Sequence, residues 1–227
     1  MAGALGWGAL AASSLVLGAL IGLARPWPER AVGLVLGFGA GALISAVSFE
    51  LAEEGIRVGG AGAVALGLAV GALSYYAAAG RVASMGGGAA LALGAFLDGI
   101  PEQLVLGIGI AGGGAVSVGL LAAIYVSNLP EAIGGATGLR ASGWSRERVL
   151  LLWLGVALAC ALSAGLGFAV ADSASGELRA GINGFAAGAL LVMLVDSMIP
   201  EATEQGGRKT GLVTTLGFAL AAGLSLG

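Results

Sequence analysis

From Met1 to Ala24 the chain carries no charged side chain, and long apolar runs of this kind recur to its end. Few folds accept such runs. A stretch of roughly 20 apolar residues spans a bilayer as a helix, because a helix satisfies its own backbone polar groups in lipid. Eight segments can be marked, at about 4–24, 31–52, 59–79, 86–110, 115–138, 148–171, 180–203 and 210–226. Only 10% of the 227 residues are charged, against about 25% in soluble domains. The expected fold class is therefore an all-α polytopic membrane protein. The connections are short, so residues 1–227 read as a single transmembrane domain. Arg25 and Arg30 follow the first run rather than precede it, the reverse of a secretory signal, so a retained first helix is expected.

Counting Lys and Arg in the connections sets the orientation. With the N-terminus outside, the inner loops hold Arg25, Arg30, Arg81, Arg140, Arg146, Arg148, Arg208 and Lys209. The outer loops hold Arg57 and Arg179. An even number of helices then places both termini outside. Trp7, Trp27, Trp144, Trp153, Tyr75 and Tyr76 fall near helix ends and read as interfacial aromatics. Glycine contributes 44 residues. Sets such as Gly33, Gly37 and Gly41, or Gly67 and Gly71, share a helix face and predict close helix packing, or a smooth surface for sliding.

The net charge of −3 comes with no basic patch, which argues against a nucleic-acid partner. The single cysteine, Cys160, lies in an apolar run and cannot form a disulfide within the chain. Histidine is absent. No nucleophile–base pair is evident, so catalysis is not expected and no cofactor is called for.

Acidic residues inside the spans carry the functional signal. A carboxylate at the bilayer centre costs about 2.5–3.5 kcal/mol on insertion scales. Asp98 and Glu102 lie near the middle of the fourth segment, and Glu131 near the middle of the fifth. FLDGIPEQL (96–104) is echoed 29 residues later by YVSNLPEAI (125–133). Asp98 and Glu102 are four apart and share a helix face, and Ser127 and Glu131 repeat that spacing. Asn128 lies three before Glu131. Pro101 and Pro130 leave the carbonyls of Leu97 and Val126 without helical donors, and broken helices of this kind build ion sites in transporters. The three carboxylates repel one another unless protonated or bridged by a cation. Asp98, Glu102, Ser127, Asn128 and Glu131 are therefore expected to converge on a divalent cation. Hard oxygen donors of this kind suit Mg, Ca or Mn and accept Fe(II) and Zn. Crowded carboxylates also let protons compete with the metal. Glu50, Glu53 and Glu54 would gather cations at the outer mouth, and Asp196, Glu201 and Glu204 extend the acidic trail to the inner end.

These segments resemble the ZIP (Zrt/Irt-like) family of divalent metal transporters. Its signature is a His-Asn-x-Pro-Glu-Gly type segment on the fourth helix and a related one on the fifth. Here they read Asp98-Gly99-Ile100-Pro101-Glu102-Gln103 and Ser127-Asn128-Leu129-Pro130-Glu131-Ala132. LVDSMIPEATE of the seventh segment resembles the family's inner-end Ile-Pro-Glu segment. GFGAGALISAVSFELAEEG of the second resembles its small-residue run with a polar outer end. The resemblance implies eight helices in a three-two-three arrangement with an inverted repeat. It also implies inward transport of zinc, iron or manganese across a cell membrane, and often a homodimer. Carried over by position, Glu102 and Glu131 are ligands, Asn128 a further one, and Asp98 a substitute for the family's histidine. Ser127, Ser48 and Asp196 are weaker members. The sixth segment lacks an acid for a second metal, so a single altered site is implied. Two rival expectations remain: a degenerate member whose metal transport is altered or lost, and a proton-coupled carrier of a small organic solute.

Overall fold

The computed structural model describes residues 1–25, 27–85, 87–111 and 116–226. Among these the chain is all-helical, with no strand. The expected starts of the fourth and fifth segments, at 86 and 115, lie outside the described residues. The helices are α1 (Ala2–Ala24), α2 (Glu29–Ala46), α3 (Glu54–Gly59), α4 (Ala61–Met85), α5 (Gly87–Ala111), α6 (Val118–Ala141), α7 (Arg146–Asp172), α8 (Gly176–Met193), α9 (Ile199–Gly206) and α10 (Thr210–Leu226). Two π-helical turns, Val47–Glu53 and Leu194–Met198, join α2 to α3 and α8 to α9 without a break.

Local chemistry explains the ends. Ser117, Ser145 and Ser175 cap α6, α7 and α8, each accepting the backbone N–H three residues on. Gly60 (φ 91°), Gly143 (φ 89°) and Gly207 (φ 67°) terminate helices in a conformation that residues with a Cβ rarely adopt. Six helical stretches among the described residues are long and apolar enough to cross a membrane. One of them, Gly176–Ser225, has 50 residues. A straight helix of that length would measure about 75 Å, far beyond the roughly 30 Å of hydrocarbon. The break at Gly207 divides it.

Glycine governs how the helices meet. α4 packs on α8, α2 on α10, α5 on α7, and α1 on both α6 and α7. A Cβ placed on Gly71 would lie 2.7 Å from the carbonyl carbon of Phe185 on α8, and one on Gly217 would lie 2.9 Å from that of Phe38 on α2. Phe38 and Phe185 stand at matching places in two segments that read alike, GFGAGALI (37–44) and GFAAGALL (184–191). Each of these segments leads into a π turn. The two helix pairs are thus built to one plan. The expected close backbone approach holds at Gly33 (against α9), Gly41 (against α10) and Gly67 (against α8), whereas a Cβ on Gly37 would first meet the Thr210 and Thr214 side chains of α10.

Gly71→Leu is expected to destabilise the protein by about 1–3 kcal/mol or more, because the new side chain meets backbone rather than a movable side chain. Gly62→Ala on the same helix is the control, since nothing lies within 4 Å of its added Cβ. Thermal unfolding in detergent separates the two.

Two aromatic expectations are corrected. Trp153 and Tyr75 are 1% and 6% exposed, not interfacial. Trp153 enters the bundle because Gly135 has no side chain: a Cβ there would lie 2.7 Å from the indole. Tyr75 is drawn inward by a polar partner in the site.

Candidate cation site between α5 and α6

Both prolines lie inside unbroken helices, Pro101 in α5 and Pro130 in α6. Each brings its glutamate to the centre of the bundle. Glu102 is 1% exposed. Its Oε1 accepts from the Ser127 hydroxyl at 3.2 Å. That hydroxyl also lies 3.0 Å from the Ile124 carbonyl. A hydroxyl has one hydrogen, so the two acceptors compete for it. The second oxygen, Oε2, has no partner among the described residues. Asn128 is fully buried and neither of its carboxamide atoms has a partner.

Asp98 and Glu131 are partly buried and differently placed. Both line a cavity of about 1060 Å³, together with Tyr75, Arg81, Asp196 and Glu201. Tyr75 donates its hydroxyl hydrogen to Asp98. The cavity wall also includes Glu29 at the start of α2, Thr137 and Gly138 near the end of α6, and Gln205 of α9. Gln205 donates to Glu201 at 2.9 Å. The carboxylates of Asp98, Glu102 and Glu131 lie within electrostatic range of one another.

The expected convergence is met in part. No group of three or more acidic or thiol side chains among the described residues is close enough to hold one ion together. Asp98 is turned to Tyr75 and Glu102 to Ser127, as mutually repelling carboxylates turn to local donors. Asp196 is exposed on the cavity wall. Ser48 donates to the Ile44 carbonyl of its own helix at 2.8 Å.

Of the acids at the first π turn and the start of α3, Glu50 and Glu54 are engaged. Glu50 Oε1 accepts from Ser117 at 2.5 Å and from Ser225 at 2.8 Å. It thereby ties the first π turn to the start of α6 and the end of α10. Glu54 pairs with Arg57, and Glu53 is exposed.

Sequence reasoning missed Tyr75 and Gln103. Gln103 is fully buried with both carboxamide atoms unpartnered. A polar residue beside Glu102 in an apolar run was a visible signal for it. Nothing in the sequence distinguishes Tyr75, which faces the site, from the exposed Tyr76 beside it. The chain matches no protein-family model and no curated protein.

Proposed function

We propose that the chain is a ZIP-like secondary transporter of divalent cations, carrying zinc, iron or manganese toward the cytoplasm across a cell membrane. It crosses the membrane eight times in a three-two-three arrangement, with both termini outside. The observation that carries this reading is the placement of the carboxylates. Asp98 and Glu131 line a cavity, and Glu102 stands enclosed beside Ser127, one helical turn from Asp98. A buried acid without a basic partner is a functional feature by default in a membrane protein. The cavity runs along the ends of α4 and α6 that lead to Arg81 and Arg140, the ends assigned to the inside by their positive charge. The matched pairs α2–α10 and α8–α4, each with its π turn, support the inverted repeat.

Uptake into proteoliposomes tests the proposal, with Zn, Mn, Fe(II), Cd and Co compared. Wild-type protein is expected to move at least one of them well above empty vesicles. Transport of none would remove the reading and leave the degenerate one. The volume of the cavity favours one alternative, a proton-coupled carrier of a small organic solute. That reading predicts solute-dependent proton flux without metal, which the same vesicles would report.

Tyr75 competes with a cation for Asp98. Tyr75→Phe is therefore expected to lower the KM for uptake by about tenfold or more, since a hydrogen bond to a charged group contributes about 1.5–3 kcal/mol. Initial rates against cation concentration measure it, and an unchanged KM would show that Asp98 does not bind the cation.

A further inference from the structure

Nine buried side-chain polar atoms lack a hydrogen-bond partner among the described residues, and five of them belong to Glu102, Gln103 and Asn128. Buried carboxamides are rarely left so, because each unmet donor or acceptor loses its water without replacement. Here the orphans cluster on two consecutive helices, beside the enclosed carboxylate.

The two echoed segments explain where the carboxamides stand. Aligned on their Pro-Glu pairs, Gly99 matches Asn128 and Gln103 matches Ala132. Each segment therefore carries one carboxamide and one small residue, four apart and on one helix face. α6 has the carboxamide first, and α5 has it second. The packing accounts for the exchange. A Cβ on Gly99 would lie 2.6 Å from the Cys160 sulfur of α7, so no asparagine fits there. Ala132 meets α1 at Gly18, where an added Cβ would lie 2.8 Å from its own, so nothing larger fits on α6 at that turn. On α5 the carboxamide is moved one turn along and lengthened by a methylene. The stripe of α5 that carries Gly99 and Gln103 and the stripe of α6 that carries Asn128 and Ala132 border the same core, because Cys160, beside Gly99, packs in one buried cluster with Ala132.

We infer that Gln103 is a ligand and specificity-determining residue of the cation site, supplying through Oε1 the neutral oxygen that Gly99 cannot. With Asn128 it forms the uncharged half of the site, against the charged half of Asp98, Glu102 and Glu131. This rests on the transport reading above. Two carboxamide oxygens add hard ligands and no charge, which favours Mn(II) over the softer Cd(II).

The test uses full-length protein in detergent, with Mn(II) and Cd(II) binding measured by calorimetry. Gln103→Met keeps length and volume but replaces the oxygen by a soft thioether. It is expected to lower the Mn(II)/Cd(II) affinity ratio by roughly tenfold or more. Gly99→Asn with Gln103→Ala and Cys160→Ala returns the carboxamide to its other place and is expected to restore the ratio. A second measurement needs no variant. The chain has two glutamines, Gln103 and Gln205. In glutamine-labelled wild-type protein, substoichiometric Mn(II) is expected to broaden the side-chain amide signal of Gln103 before that of Gln205. Binding by wild type with an unchanged ratio in Gln103→Met, or an unbroadened Gln103 signal at saturating Mn(II), would overturn the assignment and leave the transport reading standing. Absence of any cation binding by wild type would overturn both.

Discussion

Replacing Glu102 and Glu131 together by alanine is expected to reduce cation uptake to the level of empty vesicles while the protein still folds. The two glutamates are the equivalent acids of the two echoed helices, one enclosed and one on the cavity wall. Without them only Asp98 retains charge at that depth. Stability should respond in the opposite sense. Glu102 is a buried carboxylate with one oxygen unpartnered and no basic neighbour on its own helix. Replacing such a group by an apolar residue of similar size is often neutral or stabilises by about 1–4 kcal/mol. Glu102→Leu is therefore expected to melt at or above the wild-type temperature in detergent and yet to transport nothing. A variant that kept wild-type uptake would show that cations do not pass by Glu102. One that lost both stability and uptake would make the residue structural.

The second large effect is expected at the far end from the cavity. Glu50 holds Ser117 and Ser225 at once, so removing one carboxylate releases the start of α6 and the end of α10 from the first π turn. Each bond to a charged acceptor contributes about 1.5–3 kcal/mol. Losing both should shift any balance between a closed and an open outer face by roughly tenfold or more. Glu50→Ala in a Cys160→Ala background with Ser127→Cys as reporter measures this. Membrane-impermeant thiol reagent added from outside should label the reporter at least about tenfold faster than in the same protein with Glu50 intact. Equal labelling would mean that the contact fastens nothing that moves. Glu50, expected at the outer mouth, is found holding two hydroxyls through one oxygen.

The helices were legible because lipid allows so few alternatives: an apolar run of this length has to be a helix. Their ends were legible where serine caps or glycine breaks mark them. The two π turns were not. A π turn admits an extra residue and rotates everything beyond it, so depth and facing inferred by steady counting fail after Val47 and after Leu194. In the site, Glu102, Ser127 and Asn128 were legible because polar groups at four-residue spacing in apolar helices have no bland explanation. Tyr75 was not, because its partner is 23 residues away on another helix. Gln103 was overlooked beside a stronger signal.

The contacts along α6 set its mechanics. Near its start, a Cβ on Gly119 would lie 3.2 Å from the Ala221 carbonyl of α10, and Ser117 holds Glu50. At its middle, a Cβ on Gly39 of α2 would lie 2.7 Å from the Ser127 Cα. Beyond that, Glu131, Gly134 and Gly138 border the cavity. The opposite face of that second half lies on α1, where a Cβ on Gly22 would lie 2.7 Å from the Ile133 carbonyl oxygen, so α6 can move there only together with α1. From Ser127 to Leu139 it runs about 18 Å, so a joint tilt of α1 and α6 by roughly 10° about the Ser127 crossing would move the Leu139 end by about 3 Å and the crossing hardly at all. Ser127, which holds Glu102, sits at that fulcrum: the cavity beyond it would change width while the Ser127–Glu102 contact stays in place.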